Sequence, residues 1–167
     1  MALSDILGIP DSVSTDALRT YSGADRRFEF KGSIGGINII DDYAHHPTEI
    51  ETTLTSVKGT KHNHNIAVFQ SHTYSRTKDH LKEFGEVLSK FDEIIIAPIY
   101  AAREVNTFNI SEDDIVKEIM MNGNTHVKYI DSFDKIVDYL KEHVENENLV
   151  ITIGAGPINE VGRKLVD

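Results

Sequence analysis

Residues 41–50 read DDYAHHPTEI, directly after the apolar run GGINII. A turn from a strand into a helix needs a capping group and tolerates a proline; it does not need two carboxylates, a phenol and two imidazoles. Asp41 or Asp42 can cap the following helix, and a single histidine in a first turn is ordinary surface chemistry. Desolvating all of these groups together without a use is costly, so the cluster is a candidate site. A second cluster, QSHTYSRT at 70–77, puts His72 and Arg76 in a loop entering a helix. Free N–H groups at a helix N-terminus, with an arginine fork beside them, suit phosphate or carboxylate. PIYAARE (98–104) and GAGP (154–157) are the next two candidates. GAGP lacks the G-x-G-x-x-G spacing, and no G-x-x-x-x-G-K-[ST] phosphate loop occurs in the chain. His62 and His64 in KHNHN have the spacing of a metal pair but no third ligand nearby, and read as solvated loop residues.

The elements that must position these groups follow from hydrophobic period. Phe28 and Phe30 alternate, then Gly32, Gly35 and Gly36 turn the chain into Ile37, Ile39 and Ile40, a hairpin signature. Ile50, Leu54 and Val57 share one helical face between Pro47 and Gly59; Leu81, Phe84, Leu88 and Phe91 share another within TKDHLKEFGEVLSKF. Ser111 and Asp114 form a capping-box pair, and Phe133, Ile136, Val137, Leu140 and Val144 mark a further inward face. Short apolar runs near 37–41, 66–69, 93–97, 127–130 and 149–153 read as strands. Alternation of short strands with longer helices predicts an α/β fold: an open Rossmann-like sheet of about six strands, five parallel and one antiparallel at the edge, with helices on both faces. Residues 1–23 read as a lead-in from a preceding domain, with a short helix capped by Ser14, and SGADRR as a linker; 24–167 form the domain. In such sheets ligands bind beyond the carboxyl ends of the strands. The candidate clusters all follow predicted strands, whereas the opposite loops, GTKHNHN, SKFD, NGNT and ENEN, show nothing convergent.

Composition narrows the function. The chain has 167 residues, 40% hydrophobic and 26% charged, which fits one ordinary globular domain. Acidic residues outnumber basic ones 27 to 17 and the formal net charge is −10, with no basic face for nucleic acid. An anionic ligand must then be held locally against the overall field, which gives weight to each arginine beside a loop. There is no cysteine, so disulfides and thiolate metal sites are excluded. No secretory leader or apolar run long enough for a bilayer is present, and the expectation is a cytoplasmic protein with no membrane partner.

RRFEF, DDYAHHPTEI, VFQSHTYSRT, YAARE and GAG, in this order, resemble the C-terminal domain of the Mur ligases over about Ala24 to Asp167. DDYAHHPTE is the most specific of these motifs, and YSRT points to the alanine-adding branch over the related murein tripeptide ligase. The resemblance implies a three-domain enzyme of peptidoglycan synthesis with UDP-N-acetylmuramate and L-alanine as substrates. ATP and Mg2+ would be held mainly by the central ATPase domain, and this domain would close over ATP and present the amino acid. It implies that Arg27 approaches the ATP phosphates and Asp42 the ribose, while His46, His72 and Arg76 line the amino-acid and acyl-phosphate side. No metal ligand is implied within this chain. Ser71 departs from the family's proline, with an effect expected on loop stiffness only. Pro157 departs from its aspartate, so the GAG turn is left out of the site. The abrupt start reads as an excised domain, inactive without the rest of the enzyme. Two rival readings share the same residues. One is a stand-alone nucleotide- or anion-binding module; the other is a metal-dependent hydrolase using Asp41, Asp42, His45 and His46, disfavoured because adjacent residues rarely coordinate one ion well.

Overall fold

A computed structural model describes residues 2–21 and 23–167; Met1, and Ser22 at the start of the expected linker, lie outside the described residues. Two helices lead in, α1 (Ala2–Ile6) and α2 (Asp11–Thr20), followed by the hairpin of β1 (Glu29–Ile34) and β2 (Ile37–Asp42). The chain then alternates: α3 (Pro47–Lys58), β3 (His64–Phe69), α4 (Tyr74–Asp79), α5 (Leu81–Leu88), β4 (Glu93–Ile96), α6 (Glu112–Met121). It closes with β5 (Val127–Tyr129), α7 (Phe133–His143), β6 (Asn148–Ile153) and α8 (Asn159–Val166).

The six strands form one sheet in the order β1-β2-β6-β3-β4-β5. β1 pairs antiparallel with β2 at the edge, and every other pairing is parallel. The expected fold class therefore holds. Successive strand residues face opposite sides, so Ala67 and Phe69 join the core under α3, α5 and α6, while Ile66 and Val68 join the core under α7 and α8. Burial on both faces explains why the parallel strands read as unbroken apolar runs rather than as alternation. From β3 the chain steps outward to β4 and β5, then returns so that β6 fills the gap between β2 and β3. The crevice at the carboxyl ends of β2, β6 and β3 is where such a sheet offers a ligand site.

Local expectations met with two corrections. α2 begins at Asp11 behind Pro10, not at Ser14, because Pro10 sits extended and Asp11 puts a carboxylate in the first turn. The expected helix over TKDHLKEFGEVLSKF is broken at His80, which leaves helical geometry at φ −114° and separates α4 from α5. The capping box forms as expected: the Asp114 carboxylate accepts from both the N–H and the hydroxyl of Ser111, each at 2.9 Å.

Candidate active site at the carboxyl edge of the sheet

β2 ends in two carboxylates with different surroundings. Asp41 is fully buried and accepts from Arg26 Nε at 2.8 Å and from the Thr152 hydroxyl of β6 at 2.5 Å. Asp42 accepts from the Ala44 N–H at 2.9 Å and from the Thr53 hydroxyl of α3 at 3.1 Å. It lines an open cleft of about 310 Å³ whose walls include Arg27, Phe28, Glu49 and Thr52. Arg27 is exposed, its guanidinium 5.7 Å from the centre of the Tyr43 ring. A carboxylate acceptor and an arginine donor thus share one cleft.

The adjacent histidines part company. His46 caps α3: its Nδ1 accepts from the Thr48 N–H at 3.4 Å, and its ring meets the His80 ring edge-on at 4.7 Å. Glu49 reaches back to the N–H groups of His45 and His46, at 2.9 and 3.2 Å. Burial pushes the Glu49 carboxyl up, but those N–H donors, the His45 imidazole and Arg27 together hold it below its usual range. It is His45 whose ring lies 6.3 Å from that of His72, and the Tyr100 ring lies 5.5 Å from His72 as well. Burial, then the charges of Arg76 and His45, lower the His72 pKa against a smaller opposing pull from Glu104. That favours the neutral imidazole, and the His72 Nδ1 is buried without a partner among the described residues.

Arg76 stands in the first turn of α4, not in the preceding loop. The N-terminus of that helix is already occupied: Glu104, from the loop after β4, accepts from the Ser75 N–H at 2.9 Å and from the Ser75 hydroxyl at 2.5 Å. Those bonds outweigh burial and hold the Glu104 carboxyl below its usual range. The free N–H groups expected to receive a ligand anion here are satisfied from within, which leaves Arg76 as the cationic donor of the first turn. Ser71 does more than change loop stiffness, since its buried hydroxyl lies 2.6 Å from that of Thr77 in α4. The glycine turn after β6 is set by packing. Gly154 has φ +149°, and a Cβ there would lie 2.6 Å from the Gln70 carbonyl oxygen; one on Gly156 would lie 2.4 Å from Gln70 Oε1.

Sequence reasoning flagged PIYAARE without singling out Tyr100 or Glu104, and it missed Arg26 and the part of His45 beside His72. It also took His64 for a solvated loop residue. His64 opens β3, half-buried, with Nε2 3.7 Å from Glu93, which in turn is bound by Lys128 at 3.1 Å and by Tyr139 at 2.8 Å. The hydrolase reading loses its first ligand, because Asp41 is fully buried in its ion pair with Arg26.

Residues 26–156 match the family described as Mur ligase, glutamate ligase domain. The UDP-N-acetylmuramate–L-alanine ligase of Agathobacter rectalis is 45% identical over 166 residues, 99% of this chain and 36% of that protein. The ligase of the same name from Caldanaerobacter subterraneus subsp. tengcongensis is 47% identical over 167 residues, 100% of this chain and 36% of its own length. The chain thus spans about a third of the length of the curated relatives it matches. Among solved structures, a UDP-N-acetylmuramate-alanine ligase of Thermotoga maritima superposes with a TM-score of 0.80 at 24% identity, over 99% of this chain and 34% of that one. A murein peptide ligase of Psychrobacter arcticus gives 0.68 at 20% identity, over 99% and 34%. At those identities the structures speak to the fold.

Proposed function

This chain belongs to the Mur ligase family, as its glutamate ligase domain, and from that premise we propose that it is the C-terminal part of an ATP-dependent ligase joining L-alanine to UDP-N-acetylmuramate. The observation that carries the reading is the division of labour along one sheet edge. Arg27 and Asp42 share the cleft beside α3, while His45, His72, Tyr100 and Arg76 gather beyond the ends of β3 and β4. A carboxylate held by two internal donors keeps lone pairs for ribose hydroxyls, and an exposed arginine suits phosphate oxygens. On the other side Arg76 would take the carboxylate of the amino acid. His72, whose neutral form burial favours, would sit beside it without adding charge where the amine must be unprotonated to act as a nucleophile.

In the chemistry that the family implies, the muramoyl carboxylate takes the γ-phosphoryl group of ATP. The alanine amine then attacks that carbonyl carbon, expelling inorganic phosphate and losing a proton. ATP and Mg2+ would be held mainly by the central part of the enzyme, and residues 1–23 would lead in from it. Sequestering the acyl phosphate from water is the work expected of a domain that closes over the site. No described helix is long and apolar enough to cross a membrane, and a cytoplasmic enzyme fits its nucleotide substrates.

The test is phosphate release by the full-length enzyme. Release should require ATP, UDP-N-acetylmuramate and L-alanine together, and the present chain alone should release none. Turnover by the isolated chain, or release indifferent to L-alanine, overturns the proposal. Saturable ATP binding by the isolated chain would instead favour the stand-alone nucleotide-binding reading.

A further inference from the structure

Arg26 makes more connections than its place in a linker suggests. Its backbone is left-handed at φ +56°, and Phe28 two residues on is also left-handed at φ +47°. Non-glycine residues hold such conformations where surrounding contacts over-determine them. Those contacts are on hand. The Arg26 N–H donates to Glu29 Oε2 at 2.8 Å, and its carbonyl accepts from the Tyr43 N–H at 2.7 Å. Its guanidinium donates from Nε to the buried Asp41 at 2.8 Å and from a terminal nitrogen to the Gly154 carbonyl at 2.6 Å. It also lies 5.0 Å from the centre of the Tyr43 ring, the same ring that Arg27 approaches.

We propose that Arg26 is a positioning residue. By bridging the ends of β2 and β6 it fixes the segment entering the domain, and so holds Arg27 at the mouth of the Asp42 cleft. One side chain joins three separate stretches: the entering segment, Asp41 and the glycine turn after β6. Two neighbouring arginines thereby do different work, one inward as an anchor and one outward toward a ligand. The functional half of this inference rests on the reading of Arg27 as a phosphate contact; the anchoring half does not.

Arg26→Ala leaves Asp41 charged, buried and unpaired, which endangers folding. Two other variants therefore carry the test. Arg26→Lys keeps the charge but has no planar fork to serve Asp41 and Gly154 together. The pair Arg26→Met with Asp41→Asn removes both charges at once. In the isolated chain, amide hydrogen exchange at Arg27 and Tyr43 should speed up about tenfold or more in both variants, while amides of β3 and β4 keep their wild-type rates. In the full-length enzyme, the same variants should raise KM for ATP about tenfold and leave KM for L-alanine within about twofold. Unchanged exchange at Arg27 and Tyr43 overturns the anchor. Faster exchange with unchanged ATP kinetics overturns the functional half, provided that Arg27→Ala does raise KM for ATP. If Arg27→Ala is itself silent, the reading of Arg27 fails, and the exchange rates still decide the anchor.

Discussion

Asp41 and Asp42 show how much one position along a strand changes the work of a side chain. Asp41 is sealed beneath Arg26 and Thr152; Asp42 keeps two internal donors and faces the cleft. Asp42→Ala should lower kcat/KM for ATP by about ten- to a hundredfold, the value of a hydrogen bond to a charged acceptor, mostly through KM. Arg76→Ala should instead damage the alanine-dependent step, and Arg76→Lys should restore it only in part, since an ammonium lacks the two-point fork. Steady-state kinetics of the three variants decide this, and normal alanine kinetics in Arg76→Ala removes that residue from the site. Glu93 offers a test of stability. Burial pushes its carboxyl up, but Tyr139 and Lys128 bind the charged form and hold it below its ordinary 4.5. A depressed carboxyl stabilises the fold above its unfolded pKa and loses that contribution as pH falls through the folded value. Glu93→Gln should thus be destabilised by about 1–3 kcal/mol at pH 7, with the gap to wild type closing under acid conditions. A gap of constant size from pH 7 to 3 in denaturant titrations contradicts this. The dense cluster at 41–46 was visible in the sequence because its residue types are conspicuous. From the residues alone, which aspartate lines the cleft and which histidine meets His72 was not, because that depends on strand phase and on the path of the following loop. Arg26 left no local signal: its partner Gly154 lies 128 residues away in the chain.

At the scale of elements, helix faces and caps followed from spacing, as with Ile50, Leu54 and Val57 on α3 and the Ser111–Asp114 box on α6. The break at His80 did not, because TKDHLKEFGEVLSKF is a good helical pattern throughout and the interruption comes from how α4 is held. Its N-cap, Thr73, has φ +67°, the Thr77 hydroxyl donates to the Thr73 carbonyl at 2.6 Å, and Glu104 takes the donors of Ser75. The short helix is thus held by the loop that precedes it and by the loop after β4, while α5 follows the core. The turn after β6 is a second case of tertiary control. Gly154→Ala would force a left-handed alanine against the Gln70 backbone and should cost about 2–3 kcal/mol, or about 4–12 °C in Tm for a domain of this size. A melting temperature within about 2 °C of wild type shows that the turn relaxes without strain.

For the whole molecule, the strand–helix rhythm declared an open α/β sheet, but not the order of its strands. One signal was available. All six residues of β6 are buried, as befits a central strand, whereas β5 carries Lys128 and Tyr129 as befits an edge. The leading helices are less committed, since α2 buries no residue and Leu3, Ile6, Leu7 and Leu18 are all exposed. Deleting residues 1–20 should therefore move the melting temperature of the remainder by no more than about 2 °C, and exchange in α1 and α2 should be fast in the intact chain. A larger loss would mean that these helices brace the sheet. The position of β6 also matters during synthesis. It joins β2 to β3 yet follows both in the chain, so a ribosome has made all five other strands before the one that unites them. Until then β2 and β3 each present an open edge with apolar residues along it, the kind of surface that nascent chains offer to chaperones or to one another. A premature stop before Asn148 would leave two halves of a sheet with nothing between them, and a cell would meet that product as aggregate rather than as a smaller domain.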